Sequence, residues 1–275
     1  MKIDLFGSGN LLREVIKALA NKDHNISMIY LSEQRDIVET DIIKTLGLPY
    51  IIIKSKKDLE SYNFSHKIST VLISVNFKFL LHENIFRKYK LSFNIHGSLL
   101  PRYRGRSPHV WSIINNEKKI GITAHLIESD VDSGDIIFQD EIELKGNESG
   151  ASVLKIFEKL YPNVVIKSLE LLTRNKQFVK QDNSIATYYG KRTPIMSYID
   201  FNKPSIYVMS FIRALSEEPY PCAYSFLPSG KKIYVIAAQR IKDFLDEEIG
   251  KVVIINNSYY VKTIDSDLRL TIREE

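Results

Sequence analysis

The sequence predicts an α/β protein, with a mostly parallel sheet covered by helices on both faces and a small, mostly-β domain after it. Two patterns carry this expectation. In the first half, short apolar runs alternate with amphipathic stretches: KIDLF then NLLREVIKALAN, ISMIYL then DIVETDIIKTLGL, YIII, and TVLISV then FLLHENIFRKYK. Strands alternating with helices give a parallel sheet buried on both faces. Beyond Lys203, one helical run, KPSIYVMSFIRALS, precedes five short strand-like runs separated by turn residues: AYSFL, KKIYVIAAQRI, GKVVIIN, YYVKTI and LRLTIRE. That spacing predicts a small antiparallel barrel or curled sheet.

In NLLREVIKALAN the residues Leu11, Leu12, Val15, Ile16, Leu19 and Ala20 fall on one side at helical spacing, so this helix packs on the sheet. FGSGN stands at the first strand-to-helix turn, where a Rossmann-like fold would carry a phosphate-binding glycine loop. The third glycine is missing, and Glu33 follows the second strand only loosely for a ribose contact. A tight turn is the favoured reading. After SFNIHGSLLP come a helix, HVWSIINNE, a strand, GITAHLIE, a loop, SDVDSGD, and a strand, IIFQDEIEL. A long helix is expected from Ser149 to about Asn175, because Val153, Ile156, Phe157, Leu160, Val164, Val165, Leu169 and Leu172 recur at helical spacing and Pro162 can bend it. The segment TYYGKRTPIMSYIDF has no clear period and is read as a linker. The expected domains are therefore residues 1–186, a linker over 187–202, and a small OB-like domain over 203–275.

With 275 residues, 44% of them hydrophobic and 26% charged, the chain can bury a full core. Its single cysteine, Cys222, cannot form an internal disulfide, and no run of about 18 apolar residues suggests a membrane span. KIDLFG begins directly after Met1, which leaves no room for a targeting segment and predicts a cytoplasmic protein. The net charge of +5 is scattered except in Pro101-Arg102-Tyr103-Arg104-Gly105-Arg106 and Lys54-Ser55-Lys56-Lys57. Nucleic-acid binding calls for a concentrated basic face, so the first cluster points instead to a local anion site, and the second is read as a solvated loop.

Asn94 and His96 alternate with Phe93 and Ile95 at the end of a strand, so their side chains share a face. The carboxyl end of a strand in an open α/β sheet is where ligands bind. Asp132 arrives on a second loop that Gly134 lets turn sharply. An amide, an imidazole and a carboxylate are the parts needed to move an acyl group onto an amine. The imidazole takes the proton of the amine, the Asn94 amide donates to the oxygen that becomes an oxyanion, and Asp132 orients His96. Neither an acylated serine or cysteine nor a metal is required. Each residue alone also has a local reading, in a turn or in the core.

Taken together, NIHGSLLPRYRG and GITAHLIESDVDSGDII resemble the formyltransferase family that uses 10-formyltetrahydrofolate, which includes methionyl-tRNA, glycinamide ribonucleotide and sugar N-formyltransferases. The resemblance covers roughly Met1 to Phe201, and KRTPIMSYIDF with IRALSEEPYPCAYSF extends it into the second domain. It implies that Asn94, His96 and Asp132 are the catalytic residues and that the formyl donor is 10-formyltetrahydrofolate. It also implies that VLISVNFKFLLHENIF lines the pterin pocket, making Phe77, Lys78 and Leu81 folate-binding candidates together with the Asp132 loop.

Relatives that act on glycinamide ribonucleotide carry proline where this chain has Gly97. Those that bind tRNA carry a glycine-rich basic insertion after the second strand, where SEQRD here runs straight on. The second domain also mixes acidic residues, Asp243, Asp246, Glu247, Glu248, Asp265, Asp267, Glu274 and Glu275, among its basic ones. The stretch GRSPHVWSIINNEKKIGITAHLIES is most similar to sugar N-formyltransferases, which act on amino-deoxy sugars linked to nucleoside diphosphates for surface glycan or lipopolysaccharide synthesis. On this resemblance Arg102, Arg104 and Arg106 are expected to offer guanidinium forks to a diphosphate, with Ser98 beside them. His125, on the strand GITAHLI, is expected at the same crevice or as a structural histidine, while Tyr188, Tyr189 and Trp111 are candidates for stacking on a base or for packing. A homodimer without nucleic-acid or membrane partners is expected. The alternatives are a methionyl-tRNA formyltransferase and a non-catalytic protein that binds folate or a sugar nucleotide.

Overall fold

A computed structural model describes residues 2–32, 40–64, 67–174 and 177–273. Glu33 to Asp36 of SEQRD, the start of the expected DIVETDIIKTLGL helix, Asn175, Glu274 and Glu275 lie outside the described residues.

The first part of the chain runs β1 (Lys2–Gly7), α1 (Gly9–Ala20), β2 (Asn25–Ser32), α2 (Thr40–Thr45), β3 (Tyr50–Ile53), α3 (Lys56–Ser61), β4 (Lys67–Val75), α4 (Glu83–Phe86) and β5 (Tyr89–His96). It continues through β6 (Arg104–Gly105), α5 (Pro108–Ile114), β7 (Lys119–Leu126), β8 (Ile136–Glu143), α6 (Gly150–Thr173) and β9 (Tyr188–Tyr189). Seven of these strands form one sheet in the order β3-β2-β1-β4-β5-β7-β8. The pairs β1 with β2, β1 with β4, β2 with β3 and β4 with β5 are parallel, while β5 pairs antiparallel with β7. The architecture is Rossmann-like, mostly parallel and flanked by helices. Strand order reverses between β1 and β4, which opens a crevice beyond their carboxyl ends.

Sequence pattern explains most of this sheet. On α1 the side chains Leu11, Leu12, Val15, Ile16 and Leu19 are buried, each contributing roughly 1.5–3 kcal/mol before the entropy of ordering is charged against it. Phe6, Tyr30, Phe64, Leu72 and Tyr89 pack in one aromatic-rich cluster, with Phe6 and Tyr30 stacked at 4.3 Å. The Lys54 to Lys57 run is solvated as expected, but it opens a helix and is not a loop. Ser55 Oγ accepts the Asp58 N–H, and the Asp58 carboxylate accepts the Ser55 N–H.

The stretch FLLHENIFRKYK departs from the expected helix and keeps only the four residues of α4. The reason is tertiary. The Phe79 ring meets Phe77 edge-on at 5.7 Å, Phe79 and Leu81 pack half-buried against the aromatic cluster, and Tyr89 and Lys90 already belong to β5. Helical dihedrals through Phe79 to Leu81 would break these contacts, and packing outweighs a helix propensity of a few tenths of a kcal/mol, or about 0.7 at most, per residue.

Beyond these elements lie α7 (Ser205–Ala214), β10 (Ala223–Phe226), β11 (Lys232–Arg240), β12 (Val253–Ile255), β13 (Ser258–Lys262) and β14 (Asp267–Ile272). The five strands form an antiparallel sheet in the order β10-β11-β14-β13-β12, so the small mostly-β part expected beyond Lys203 is present. The chain falls into two compact units. One contains residues up to Gly105 with Gly121–Glu141 and Ile156–Tyr188, and the other contains Arg106–Ile120, Ile142–Lys155 and the chain from Tyr189 onward. Among the described residues no helix is long and apolar enough to cross a membrane.

Candidate active site

Strand β5 presents Asn94 and His96 at its carboxyl end, where the antiparallel register sets Asn94 opposite His125 and His96 opposite Thr123 of β7. The loop after β7 returns Asp132 to the same place. Three of the expected residues and His125 therefore converge. Asn94 Nδ2 lies 3.2 Å from His125 Nε2, His96 Nδ1 lies 3.4 Å from Asp132 Oδ2, and His125 Nε2 lies 3.4 Å from Asp132 Oδ1.

Carbonyl oxygens decide the tautomers, because a carbonyl can only accept. His96 Nε2 lies 2.8 Å from Tyr103 O, so the proton of the neutral ring is on Nε2 and the Nδ1 lone pair faces Asp132. His125 Nδ1 lies 2.8 Å from Leu126 O, so its Nε2 is free to accept from the Asn94 amide. Asn94 keeps one N–H beyond that bond.

Burial pushes the His96 pKa below its ordinary value of 6.5, against the opposing pull of the Asp132 carboxylate and the Tyr103 carbonyl. Burial alone would raise the Asp132 carboxyl. The positive charge of His96 and His125 in their imidazolium forms, with the Gly105 N–H, outweighs it and holds the group well below the usual carboxylate range. The resting site is thus a neutral imidazole beside an ionised carboxylate.

Two glycines explain how close the elements come. A Cβ on Gly97 would lie 2.7 Å from Cε2 of Phe157, so glycine is what lets Phe157 of α6 come this close. A Cβ on Gly134 would lie 2.1 Å from Leu126 O, so only glycine lets the Asp132 loop lie against β7.

The loop after β5 is tied internally. Ser98 is buried and its hydroxyl donates to Arg102 O at 2.7 Å, while Tyr103 takes φ +62° and its N–H donates to Thr187 Oγ1 at 2.8 Å. Arg104 is only 1% exposed. Its Nε and Nη2 donate to Gln181 Oε1 at 3.1 and 2.7 Å, Nη2 also to Asn183 Oδ1 at 2.7 Å, and Nη1 to the Tyr188 hydroxyl. Tyr188 is 61% exposed, and its ring lies beneath the Arg104 guanidinium. Arg102 is exposed, with its guanidinium over the Tyr103 ring at 5.4 Å.

Phe77, Lys78 and Leu81 stand at the crevice end of the sheet, since β4 and β5 pair through Val75 and Ile95. Phe77 and Leu81 are half-buried against the aromatic cluster, and the Lys78 N–H lies 3.3 Å from Ser32 Oγ. Half-covered apolar edges beside backbone polar groups suit a flat heteroaromatic ring.

The remaining candidates belong to the second unit. There Tyr189 lies against Trp111 at 4.9 Å and accepts from Asn115 Nδ2 at 2.8 Å, while the Arg192 guanidinium covers Trp111 at 4.9 Å. Arg106 is exposed, and its N–H donates to Tyr189 O.

Gln181, Thr187 and the carbonyls of Tyr103 and Leu126 shape the site, yet nothing in the sequence marks them. A backbone carbonyl has no residue signature, and Gln181 sits in the polar stretch KQDN.

The chain matches the family model described as formyl transferase over residues 1–169 and that described as formyl transferase, C-terminal domain, over residues 191–274. It is 33% identical over 193 residues to a bifunctional polymyxin resistance protein ArnA of Wigglesworthia glossinidia brevipalpis, covering 68% of this chain and 29% of that protein. It is also 33% identical over 178 residues to a methionyl-tRNA formyltransferase of Caldanaerobacter subterraneus, covering 64% of this chain and 57% of that one. The chain therefore spans well under two thirds of either relative. Among solved structures it is similar to WlaRD, a sugar 3N-formyl transferase crystallised with dTDP and 5-N-formyl-THF. That likeness has a TM-score of 0.76 at 18% identity and covers 100% of this chain and 98% of that one.

Proposed function

Because the chain belongs to the formyl transferase family, we propose that it moves a formyl group from 10-formyltetrahydrofolate to the amine of an amino-deoxy sugar linked to a nucleoside diphosphate. The observation that carries this reading is the convergence of Asn94, His96 and Asp132 at the carboxyl end of β5.

His96 accepts the proton of the attacking amine on Nδ1, the nitrogen left bare by the bond to Tyr103 O. Asp132, 3.4 Å away, stabilises the imidazolium so formed. The second N–H of Asn94 donates to the formyl oxygen as it gains charge, and the bond to His125 holds the amide in that orientation. A bond forms from the amine nitrogen to the formyl carbon, the bond from that carbon to the folate nitrogen breaks, and the folate nitrogen regains a proton. Phe77, Lys78 and Leu81, with the Asp132 loop, would hold the folate.

Similarity to WlaRD along nearly the whole of both chains supports a sugar-nucleotide acceptor. Acidic residues interspersed in the second unit also weigh against a continuous track for tRNA phosphates. The exposed Arg102 offers a guanidinium group for the diphosphate. The likeness to a methionyl-tRNA formyltransferase favours the second reading, that the amine belongs to methionyl-tRNA. A role in surface glycan assembly, a cytoplasmic setting and a homodimer complete the proposal. The lone cysteine supports that setting, and exposed Phe226, Phe244 and Ile254 support pairing of two copies.

The test is to incubate the protein with 10-formyltetrahydrofolate and UDP-, dTDP- and GDP-linked amino sugars, with methionyl-tRNA in parallel, and to follow product mass. A formylated sugar nucleotide is expected. Formylation of methionyl-tRNA alone would replace the sugar reading, and no transfer to any acceptor would remove both.

A further inference from the structure

Arg104 is among the largest fully buried side chains in the protein, yet its hydrogen-bond partners are neutral: Gln181, Asn183 and Tyr188. A buried guanidinium held by amides and a phenol is costly and needs a reason to be kept. Gln181 supplies one, because its amide is used at both ends. Oε1 accepts from Arg104 Nε and Nη2, while Nε2 donates to Asp132 O at 2.9 Å and to Gly134 O at 2.7 Å. The Gly105 N–H, next along the chain from Arg104, donates to Asp132 Oδ2 at 2.8 Å.

Asp132 needs this support. It sits at φ +52°, a region that L-residues occupy at a cost, so its own backbone does not hold it there. Gln181 is itself placed by the segment after α6, where Val179 and Ile136 exchange two backbone hydrogen bonds of 2.9 and 2.8 Å. The chain of contacts runs from Arg104 through Gln181 to the backbone on either side of Ser133.

We propose that Gln181, anchored by Arg104, is a positioning residue that fixes the Asp132 carboxylate against His96, and that Arg104 serves the reaction from inside the protein and makes no contact with the substrate phosphates. This rests on the formyl-transfer reading for its kinetic consequence. The brace itself is a statement about where Asp132 sits.

The experiment uses Gln181→Glu and Gln181→Met in the full chain. Gln181→Glu keeps an acceptor for Arg104 and so protects folding, but it removes both donors to Asp132 O and Gly134 O. Gln181→Met keeps the length and adds no charge. Turnover in Gln181→Glu is expected to fall about 10²-fold with KM for the folate donor little changed, the loss that a misplaced catalytic group produces. The loss should vanish in the Asp132→Asn background, where adding Gln181→Glu changes the remaining turnover by no more than roughly twofold. Equal losses in both backgrounds would show a generally structural role and overturn the proposal.

A readout independent of turnover accompanies the kinetics. In nitrogen-15 NMR titrations of His96, Gln181→Met should lower its pKa toward that found in Asp132→Asn, because the carboxylate that raises it has moved away. An unchanged titration would refute the brace. If the wild-type protein transfers no formyl group, the proposed function fails and the titration alone decides on Gln181.

Discussion

His96 and Asp132 face each other across 3.4 Å, from Nδ1 to Oδ2, while the other ring nitrogen of His96 is tied to a backbone carbonyl. In the proposed mechanism the proton of the amine therefore arrives on Nδ1, on the side where a carboxylate is waiting. His96→Asn and Asp132→Asn should each lower turnover by about 10²–10⁴-fold, the usual range for a lost general base or its partner. Circular dichroism and thermal melting should show the fold retained, and near-normal turnover in both variants would contradict the assignment.

The acid limb of the pH profile of kcat/KM should lie below pH 6.5, because burial favours the neutral imidazole. In Asp132→Asn, the limb measured on whatever activity survives should move lower still, since the carboxylate that favours the imidazolium is gone. A shift to higher pH would mean that some other group titrates.

The same two groups give a stability dependence with a definite sign. Both folded pKa values lie below their ordinary values of 6.5 and 3.8. For each, the stabilisation is complete above the ordinary value and is lost as pH falls through the folded one. Denaturant unfolding between about pH 7 and pH 5 should show wild type losing more stability than His96→Asn, because only the former must protonate a buried imidazole as it acidifies.

Asn94→Ala should cost about 10²–10³-fold in turnover, the value of one hydrogen bond to a developing oxyanion. His125→Leu acts one step back. It frees the Asn94 amide to rotate, and the expected loss is up to about tenfold, that of an ordinary hydrogen bond. Kinetics of both variants against the same donor and acceptor check the ranking, and a larger loss for His125→Leu would reverse the roles assigned.

Gly97→Ala places a methyl 2.7 Å from the Phe157 ring and should destabilise the protein by about 1–3 kcal/mol, the cost of overpacking a core. Gly134→Ala meets the Leu126 carbonyl at 2.1 Å, and backbone cannot rotate aside as a side chain can. It should displace the Asp132 loop and reduce turnover more than Gly97→Ala does. Denaturation midpoints alongside kcat separate the two effects.

Periodicity was enough to read α1, the long helix α6, the parallel strands and the antiparallel sheet beyond Lys203, because each buries one face and leaves that spacing in the chain. Asn94 and His96 were legible for a similar reason. Alternation places both on one face of β5, and the loop motifs around Asp132 are long and ordered. FLLHENIFRKYK holds only a short helix because the same apolar spacing serves an irregular segment, Phe79 and Leu81, packed on the aromatic cluster, and the first residues of β5.

Strand alternation and the loop motif are enough to mark an amide, an imidazole and a carboxylate, Asn94, His96 and Asp132, on one strand end and one loop. Tertiary structure alone decided how they are used. Which nitrogen of His96 is bare follows from Tyr103 O, which way the Asn94 amide points follows from His125, and where Asp132 stands follows from Gln181 and Gly105. Backbone carbonyls and amides have no letter in the sequence, and partners up to 49 residues apart meet only once the sheet has closed. The same holds for Arg104. Its charge suggested an anion site, and only its burial shows that its hydrogen bonds are turned inward.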